Sequence, residues 1–346
     1  MTTPFRWGII APGSIAKQFA RGLAAIPDAV LVAVGARDIT KATAFATEFS
    51  TATNQIRAHG SYAALAADPD VDAIYIASPH PFHREHALLC IAHGKAVLCE
   101  KPFAVNHADA ADIVAAARAK GVFCMEALWT RFLPATAQVR AWLAEGKIGD
   151  VRMVCADFGF RCGWDPKSRL LDPALAGGAL LDVGCYGLAY ARMIFGADPL
   201  RLSAVATLGD TNVDEQIALS ALYPQGRLAS LTAAVRTNTN HDAWIYGTTG
   251  RIHVPGYWHA RSATLIQDGQ APITVTPEFV GNGYNHEAVE VAACVRAGRT
   301  ESTLAPLAES LAIMQAMDET RRQVGLSYPG EKAPSEKAQL AHASAR

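Results

Sequence analysis

Lys101, His80, Asp182 and Tyr186 are the residues of this chain whose types and settings suit work on a small molecule. Lys101 lies in Cys99-Glu100-Lys101-Pro102 and His80 in Ser78-Pro79-His80-Pro81-Phe82-His83, each just beyond a short apolar run that reads as a buried strand. Open α/β sheets bind their ligands at such strand ends. Asp182 and Tyr186 fall in Gly177-Gly178-Ala179-Leu180-Leu181-Asp182-Val183-Gly184-Cys185-Tyr186, four apart, and share a face if the segment is helical. That spacing suits a proton-transferring pair. It suits equally well an aspartate that caps a helix and a tyrosine packed in the core.

A second kind of chemistry is written at the start of the chain. Gly8-Ile9-Ile10-Ala11-Pro12-Gly13-Ser14-Ile15-Ala16 is an AxGxxA variant of the glycine-rich βα turn. A pyrophosphate needs close backbone approach, which Gly13 permits, and the free N–H groups and dipole of the helix that follows. An ordinary tight turn reads the same way when taken alone. The second apolar run ends Val34-Gly35-Ala36-Arg37-Asp38, where NAD sites usually place a carboxylate on the ribose hydroxyls. Ala36 stands there and Arg37 follows, so a guanidinium is offered to a 2′-phosphate and NADP is expected over NAD. Asp38 leaves NAD possible. Lys101 and His80 would then flank the nicotinamide.

The elements that must position these groups follow from hydrophobic periodicity. Apolar runs at 7–11, 29–35, 72–77, 96–99 and 122–125 read as parallel strands buried on both faces. Ala- and Leu-rich helical patterns at 14–25, 42–49, 82–93 and 108–120 separate them, with breaks at Pro27, Gly94 and Gly121. Repeated βαβ units predict a Rossmann-type doubly wound sheet over residues 1–125. Beyond Glu126 one helix near 135–144 gives way to strand-like stretches, among them 217–222, 228–233 and 243–246, joined by turn signals at 223–226 and 247–250. Helices return at 287–297 and 304–324. The reading is an α+β domain with an antiparallel sheet over 126–329, followed by a mobile tail at 330–346.

With 346 residues, half of them hydrophobic and 18% charged, the chain has apolar surface for two compact domains. Lys and Arg number 31 against 32 Asp and Glu, with no run of either sign, which argues against a nucleic-acid or anionic-membrane partner. Seven cysteines without a CxxC pair and without a secretory leader suggest reduced thiols and a cytoplasmic protein.

Together these segments resemble the Gfo/Idh/MocA family of oxidoreductases up to about Pro329. The similarity is greatest to the branch that contains trans-1,2-dihydrobenzene-1,2-diol dehydrogenase and NADP-dependent D-xylose 1-dehydrogenase. Arg6-Trp7-Gly8-Ile9-Ile10, Val97-Leu98-Cys99-Glu100-Lys101-Pro102, Met125 to Phe132 and Gly177 to Asp182 carry that similarity. Inositol-dehydrogenase-like members have a histidine at the position of Tyr186 and an aspartate at that of Ala189, which counts against inositol as substrate.

The resemblance implies a large open sheet in the second domain, a homodimer formed through it, and no requirement for a metal. It implies a cofactor site of Gly8, Ala11, Pro12, Gly13, Ser14, Ile15, Arg37, Ser78, Pro79, His80, His83, Glu100 and Lys101. Tyr186 becomes the acid/base, Lys101 the ammonium that lowers its pKa from ~10, and Asp182 an orienting group. Trp129, Arg131, Phe158 and Arg161, with Asp182 and Tyr186, become candidates for the substrate pocket, although packing explains Phe158 well. The expected reaction is hydride transfer between NADP and an aldose at C1, of the D-xylose or D-glucose type, or a trans-dihydrodiol. Reduction of a sugar ketone such as 1,5-anhydrofructose, and a non-catalytic dinucleotide sensor, are the alternatives.

Overall fold

The computed structural model describes residues 3–331. Its first layer alternates β1 (Phe5–Ile10), α1 (Ser14–Leu23), β2 (Ala29–Gly35), α2 (Ile39–Phe49), β3 (Arg57–His59), α3 (Tyr62–Ala66), β4 (Ala73–Ile76), α4 (His83–Ala92), β5 (Ala96–Glu100), α5 (His107–Lys120) and β6 (Cys124–Ala127). The six strands are parallel, in the order β3-β2-β1-β4-β5-β6. The order reverses beside β1, and the carboxyl ends of β1 and β4 therefore open a crevice. β4, β5 and β6 are buried at every residue, as continuous apolar runs require when helices cover both faces. β3 and α3 were not expected, since Arg57-Ala58-His59 has no apolar run to announce a strand.

The second half runs through α6 (Pro134–Ala144), β7 (Val151–Gly159), α7 (Cys185–Phe195), β8 (Arg201–Leu208), β9 (Asp214–Tyr223), β10 (Arg227–Ala234), β11 (Ala243–Gly247), β12 (Gly250–Val254), β13 (Ala263–Gln267), β14 (Ile273–Val275), α8 (Tyr284–Arg296) and α9 (Leu307–Val324). Its eight strands form one sheet, β14-β13-β12-β11-β7-β10-β9-β8, antiparallel except where β7 meets β10. Alternation along β8, β9 and β10 sends one side of each strand inward under α7 and α9 and leaves the other open. Residues 173–195 are apolar and long enough to cross a membrane, but the most apolar 18-residue stretch within them is 89% buried inside the protein, which accounts for its composition.

The last helices do not stay with the sheet that precedes them. α8 packs on α1, and Ala288, Val291, Ala292 and Cys294 join Phe5, Trp7 and Phe19 in the core of the first layer. Arg296 reinforces this through Asp28 at 2.5 Å. α9 lies between α5 and β8 and ties the halves together. The expected unit 126–329 is thus not one core: its strands form the second domain, while α8 completes the first. Of the expected tail, Glu331 is anchored by Arg321 at 2.7 Å and by the Tyr328 N–H at 2.9 Å; residues 332–346 lie outside the described residues.

Candidate active site

The nucleotide-facing wall is made mostly of backbone. After β1 the chain turns through Ala11, whose φ is +65°, and Gly13 then starts α1 with no side-chain cap. The first amides of α1 are left for an external acceptor. A Cβ placed on Gly13 would meet nothing within 4 Å, so the turn opens onto free space wide enough for close approach of a pyrophosphate. Ser14 is exposed and Pro12 and Ile15 are half-buried at this same turn. At the other end Arg37 is exposed, 5.8 Å over the Phe82 ring and near Tyr62, whereas Asp38 caps α2 through the Thr40 N–H at 2.9 Å. The residues present therefore fit a dinucleotide with a cationic adenosine end.

Two expected cofactor residues have other work. Gly8 lies inside β1, where an added Cβ would stand 3.1 Å from Val71 and 3.2 Å from Leu65, so its small size serves packing. His83 is fully buried, with Nδ1 2.8 Å from the Pro102 carbonyl and Nε2 2.7 Å from that of Ser78. It ties the loop after β4 to the loop after β5 and has no ring nitrogen left for a ligand. Burial pushes its pKa down to about 4. His80, beside Pro79, is also buried; its Nδ1 lies 3.2 Å from the Ala176 carbonyl, and burial with His83 nearby lowers it to about 3. The His80 ring is therefore neutral.

The reacting end of the cleft lies where β5 runs out. Here the cavity encloses about 330 Å³ and is lined by Ile15, Glu100, Lys101, Asp182 and Tyr186, among others. Residues Leu180–Gly184 wind as a single wide π-type turn leading into α7, a bulge of the kind found at functional sites. Through it the chain brings Asp182 and Tyr186 to one cavity.

Lys101 Nζ donates to the Asp182 carbonyl at 2.6 Å, stands 3.5 Å from Asp182 Oδ1, and lies 5.1 Å from the Tyr186 ring centroid. Arg169 donates to the same Oδ1 at 2.6 Å. Burial opposes charge on Asp182, but Lys101 and then Arg169 overcome it and hold the carboxyl well below the usual carboxylate range. Glu100 forms the floor, accepting from Tyr75 Oη and from the Lys101 N–H; burial raises its pKa.

Tyr186 departs from expectation in one respect. Its phenol is pushed well above the ordinary value, by burial first and by neighbouring Tyr284 and acidic groups after it. Lys101 is engaged with Asp182 and sits over the ring face, and the net shift is upward rather than the expected lowering.

On the opposite wall, Trp129 and Phe158 both line the cavity. Trp129 stacks on Tyr284 with centroids 4.3 Å apart, and Phe158 stacks on Trp258 at 4.7 Å. Arg131 does not reach the cavity: it is buried against Glu309 and donates to the Leu304 carbonyl at 3.0 Å. Arg161 follows the end of β7, forms an isolated bridge with Arg236 and donates its N–H to Asn238 Oδ1 at 2.8 Å, also away from the cavity.

Arg169, His241, Trp258, Tyr284 and Phe160 line the cavity and were not anticipated. Arg169 lies in a loop with no periodicity, and the others come from segments far apart in the chain. Only Tyr284, which follows Gly283 at the start of a helix, had a local signal.

A dinucleotide crevice beside a buried cluster of lysine, aspartate and tyrosine defines an NAD(P)-binding oxidoreductase. Residues 5–128 match the oxidoreductase-family, NAD-binding Rossmann-fold model, and residues 136–253 match the GFO/IDH/MocA C-terminal domain. Trans-1,2-dihydrobenzene-1,2-diol dehydrogenase of Mus musculus is 40% identical over 94% of this chain and 99% of its own. The chain therefore belongs to the Gfo/Idh/MocA family and is a dehydrogenase or reductase. Among solved structures, aldose-aldose oxidoreductase from Caulobacter crescentus, complexed with glycerol, superposes with a TM-score of 0.84 at 25% identity, covering 93% of this chain and 98% of that one. KijD10, a 3-ketoreductase from Actinomadura kijaniata in complex with NADP and TDP-benzene, gives 0.80 at 26% identity, with the same two coverages.

Proposed function

We propose that this protein is an NADP-dependent oxidoreductase that moves a hydride to or from a ring carbon bearing oxygen, in an aldose, a trans-dihydrodiol or the corresponding ketone. The observation that carries this reading is the convergence of Lys101, Asp182 and Tyr186 in one cavity whose other wall is aromatic. Aromatic faces suit the apolar face of a small ring, and ionised groups at one end suit its hydroxyls. The NADP complex of the ketoreductase and the exposed Arg37, with Lys41 in the first turn of α2, support NADP over NAD.

When bound, the nicotinamide supplies or accepts the hydride. Tyr186 exchanges the proton of the substrate oxygen, Lys101 offsets negative charge that develops there, and Asp182, fixed between Lys101 and Arg169, orients a hydroxyl. Because burial keeps the Tyr186 phenol protonated, the site is poised to donate. That favours ketone reduction at neutral pH as a second reading of the same machinery. In the oxidative direction Tyr186 must first lose its own proton.

The open outer face of the second sheet, where Val205 is 71% and Leu228 48% exposed, supports a homodimer. All seven cysteines are free thiols, in keeping with a cytoplasmic setting. Nicotinamide absorbance tests the reading: NADP⁺ with D-xylose, D-glucose and a trans-dihydrodiol, then NADPH with sugar ketones. Turnover on any of these, dependent on Tyr186, supports it. Cofactor binding with silence on both panels overturns it.

A further inference from the structure

Five residues in the described chain other than glycine adopt positive φ, and one of them, His241 at +66°, lines the substrate cavity. Left-handed backbone is costly for a residue with a Cβ and persists only where its surroundings hold it. Here they do so at every polar atom. The His241 N–H donates to Asp157 Oδ2 at 2.7 Å, and the same carboxylate takes the Asp242 N–H at 3.2 Å. The His241 carbonyl accepts from the Tyr257 N–H at 3.1 Å. Ring Nε2 lies 2.7 Å from the Gly159 carbonyl, and the Trp258 indole N–H points to ring Nδ1 at 3.4 Å. Gly159 must lack a side chain for this loop to approach, since a Cβ there would stand 2.7 Å from the Thr237 carbonyl.

These partners fix the tautomer. A carbonyl oxygen only accepts, so Nε2 carries the proton, and Nδ1 is left as the acceptor for the indole N–H. Both ring nitrogens are committed, and neither is offered to a substrate. What His241 holds is Trp258, which stacks at 4.7 Å and 13° on Phe158, while the His241 ring itself packs at 4.9 Å on Phe158.

We propose that His241 is a specificity-determining residue that clamps the Trp258–Phe158 wall, so that the cavity selects substrates presenting a flat or apolar ring face. It takes no part in proton transfer. The inference rests on the oxidoreductase reading above and names the feature of the substrate that the second wall recognises.

The test is His241→Asn, because asparagine tolerates left-handed backbone and keeps the fold while removing the ring. With a trans-dihydrodiol, KM should rise about tenfold, as loss of an ordered aromatic contact allows, with kcat changed less than about threefold. NADP affinity should be unaltered. A KM within about twofold of the unsubstituted enzyme would overturn the proposal. So would a collapse of kcat at constant KM, which marks a proton-transfer role.

A second measurement needs no turnover. Near-ultraviolet circular dichroism of H241N should lose the aromatic signal that Trp258→Phe removes, and its retention refutes the clamp. If the clamp signal behaves as expected but no substrate reacts, the functional reading fails and the clamp stands.

Discussion

On the side of the cleft that faces the nucleotide, the chain presents backbone: a turn through Ala11 and Gly13, uncapped amides of α1 and the loops after β4 and β5, pinned together by His83. On the side that faces the substrate it presents side chains, drawn from residues 129, 158, 169, 182, 186, 241, 258 and 284. The first wall recognises a phosphate, whose geometry is the same in every dinucleotide, and one short segment suffices. The second must fit one small molecule among many, and needs orientations that only packed side chains define. Lys101 and Tyr186, to which the proposed function assigns the chemistry, stand between them.

The comparison is broken most severely at the junction. Tyr186→Phe removes the oxygen proposed to exchange the proton and leaves the ring packed near Phe158, at 5.5 Å between centroids. Turnover should fall by about 10³-fold or more, while NADP affinity, set by the other wall, should hold. Fluorescence titration with NADPH beside a steady-state assay checks both halves; loss of both would show that the walls are not independent. On the nucleotide side alone, Arg37→Asp should weaken NADP by about 100-fold and NAD by less than about threefold, read as dissociation constants. Equal losses would make Arg37 a general surface charge.

The same contrast explains what could be read from sequence. The βα turn, the Glu100-Lys101-Pro102 loop and the segment carrying Asp182 and Tyr186 are local patterns, and Ile15, Glu100, Lys101, Asp182 and Tyr186 from them line one cavity. Arg131, a candidate guanidinium donor to substrate hydroxyls, turns away instead: the Trp129–Phe132 segment is a 3₁₀ turn that directs the indole to the cavity and the guanidinium to Glu309. Arg169 reaches Asp182 from 13 positions earlier in the chain with no repeating pattern between them, and Trp258 meets Phe158 only because the strands between them order the sheet as they do. The parallel contact of β7 with β10 joins residues more than 70 positions apart, and no periodicity encodes it. Burial of Tyr186 depends on all of these together, so its raised pKa was illegible too.

That raised pKa separates the two directions of reaction. Oxidation needs the phenolate, whose fraction rises about tenfold per pH unit below its pKa. With the folded value above 10, kcat/KM for alcohol oxidation should climb steadily from about pH 7 to pH 10. Reduction uses the phenol already present and should stay flat over the same range. Initial rates with NADP⁺ and NADPH across that interval provide the check. An oxidative profile that levels off near neutrality would mean that Lys101 lowers the phenol once the cofactor is bound, and would return the site to the dehydrogenase reading.

The smallest effect concerns the support beneath the substrate wall. Asp214 is wholly buried; its Oδ2 accepts the Leu180 N–H at 2.6 Å, which starts the turn that carries Asp182, and its Oδ1 has no hydrogen-bond partner. Gly178, at φ +119°, makes room for it, since a Cβ there would fall 2.0 Å from Oδ1. Burial raises the Asp214 carboxyl to about 7 from an ordinary value of 3.8. The folded state therefore binds the proton more tightly than the unfolded chain. Its contribution to stability is full below about pH 4 and is lost as pH rises to about 7. Asp214→Asn keeps an oxygen for Leu180 and cannot ionise. The melting temperature of D214N relative to the unsubstituted protein should thus increase by roughly 2–5 °C between pH 4 and pH 8, and level off above that. A difference that stays constant with pH would show that Asp214 is charged throughout, and that the start of the catalytic turn is held by a carboxylate rather than by a protonated acid.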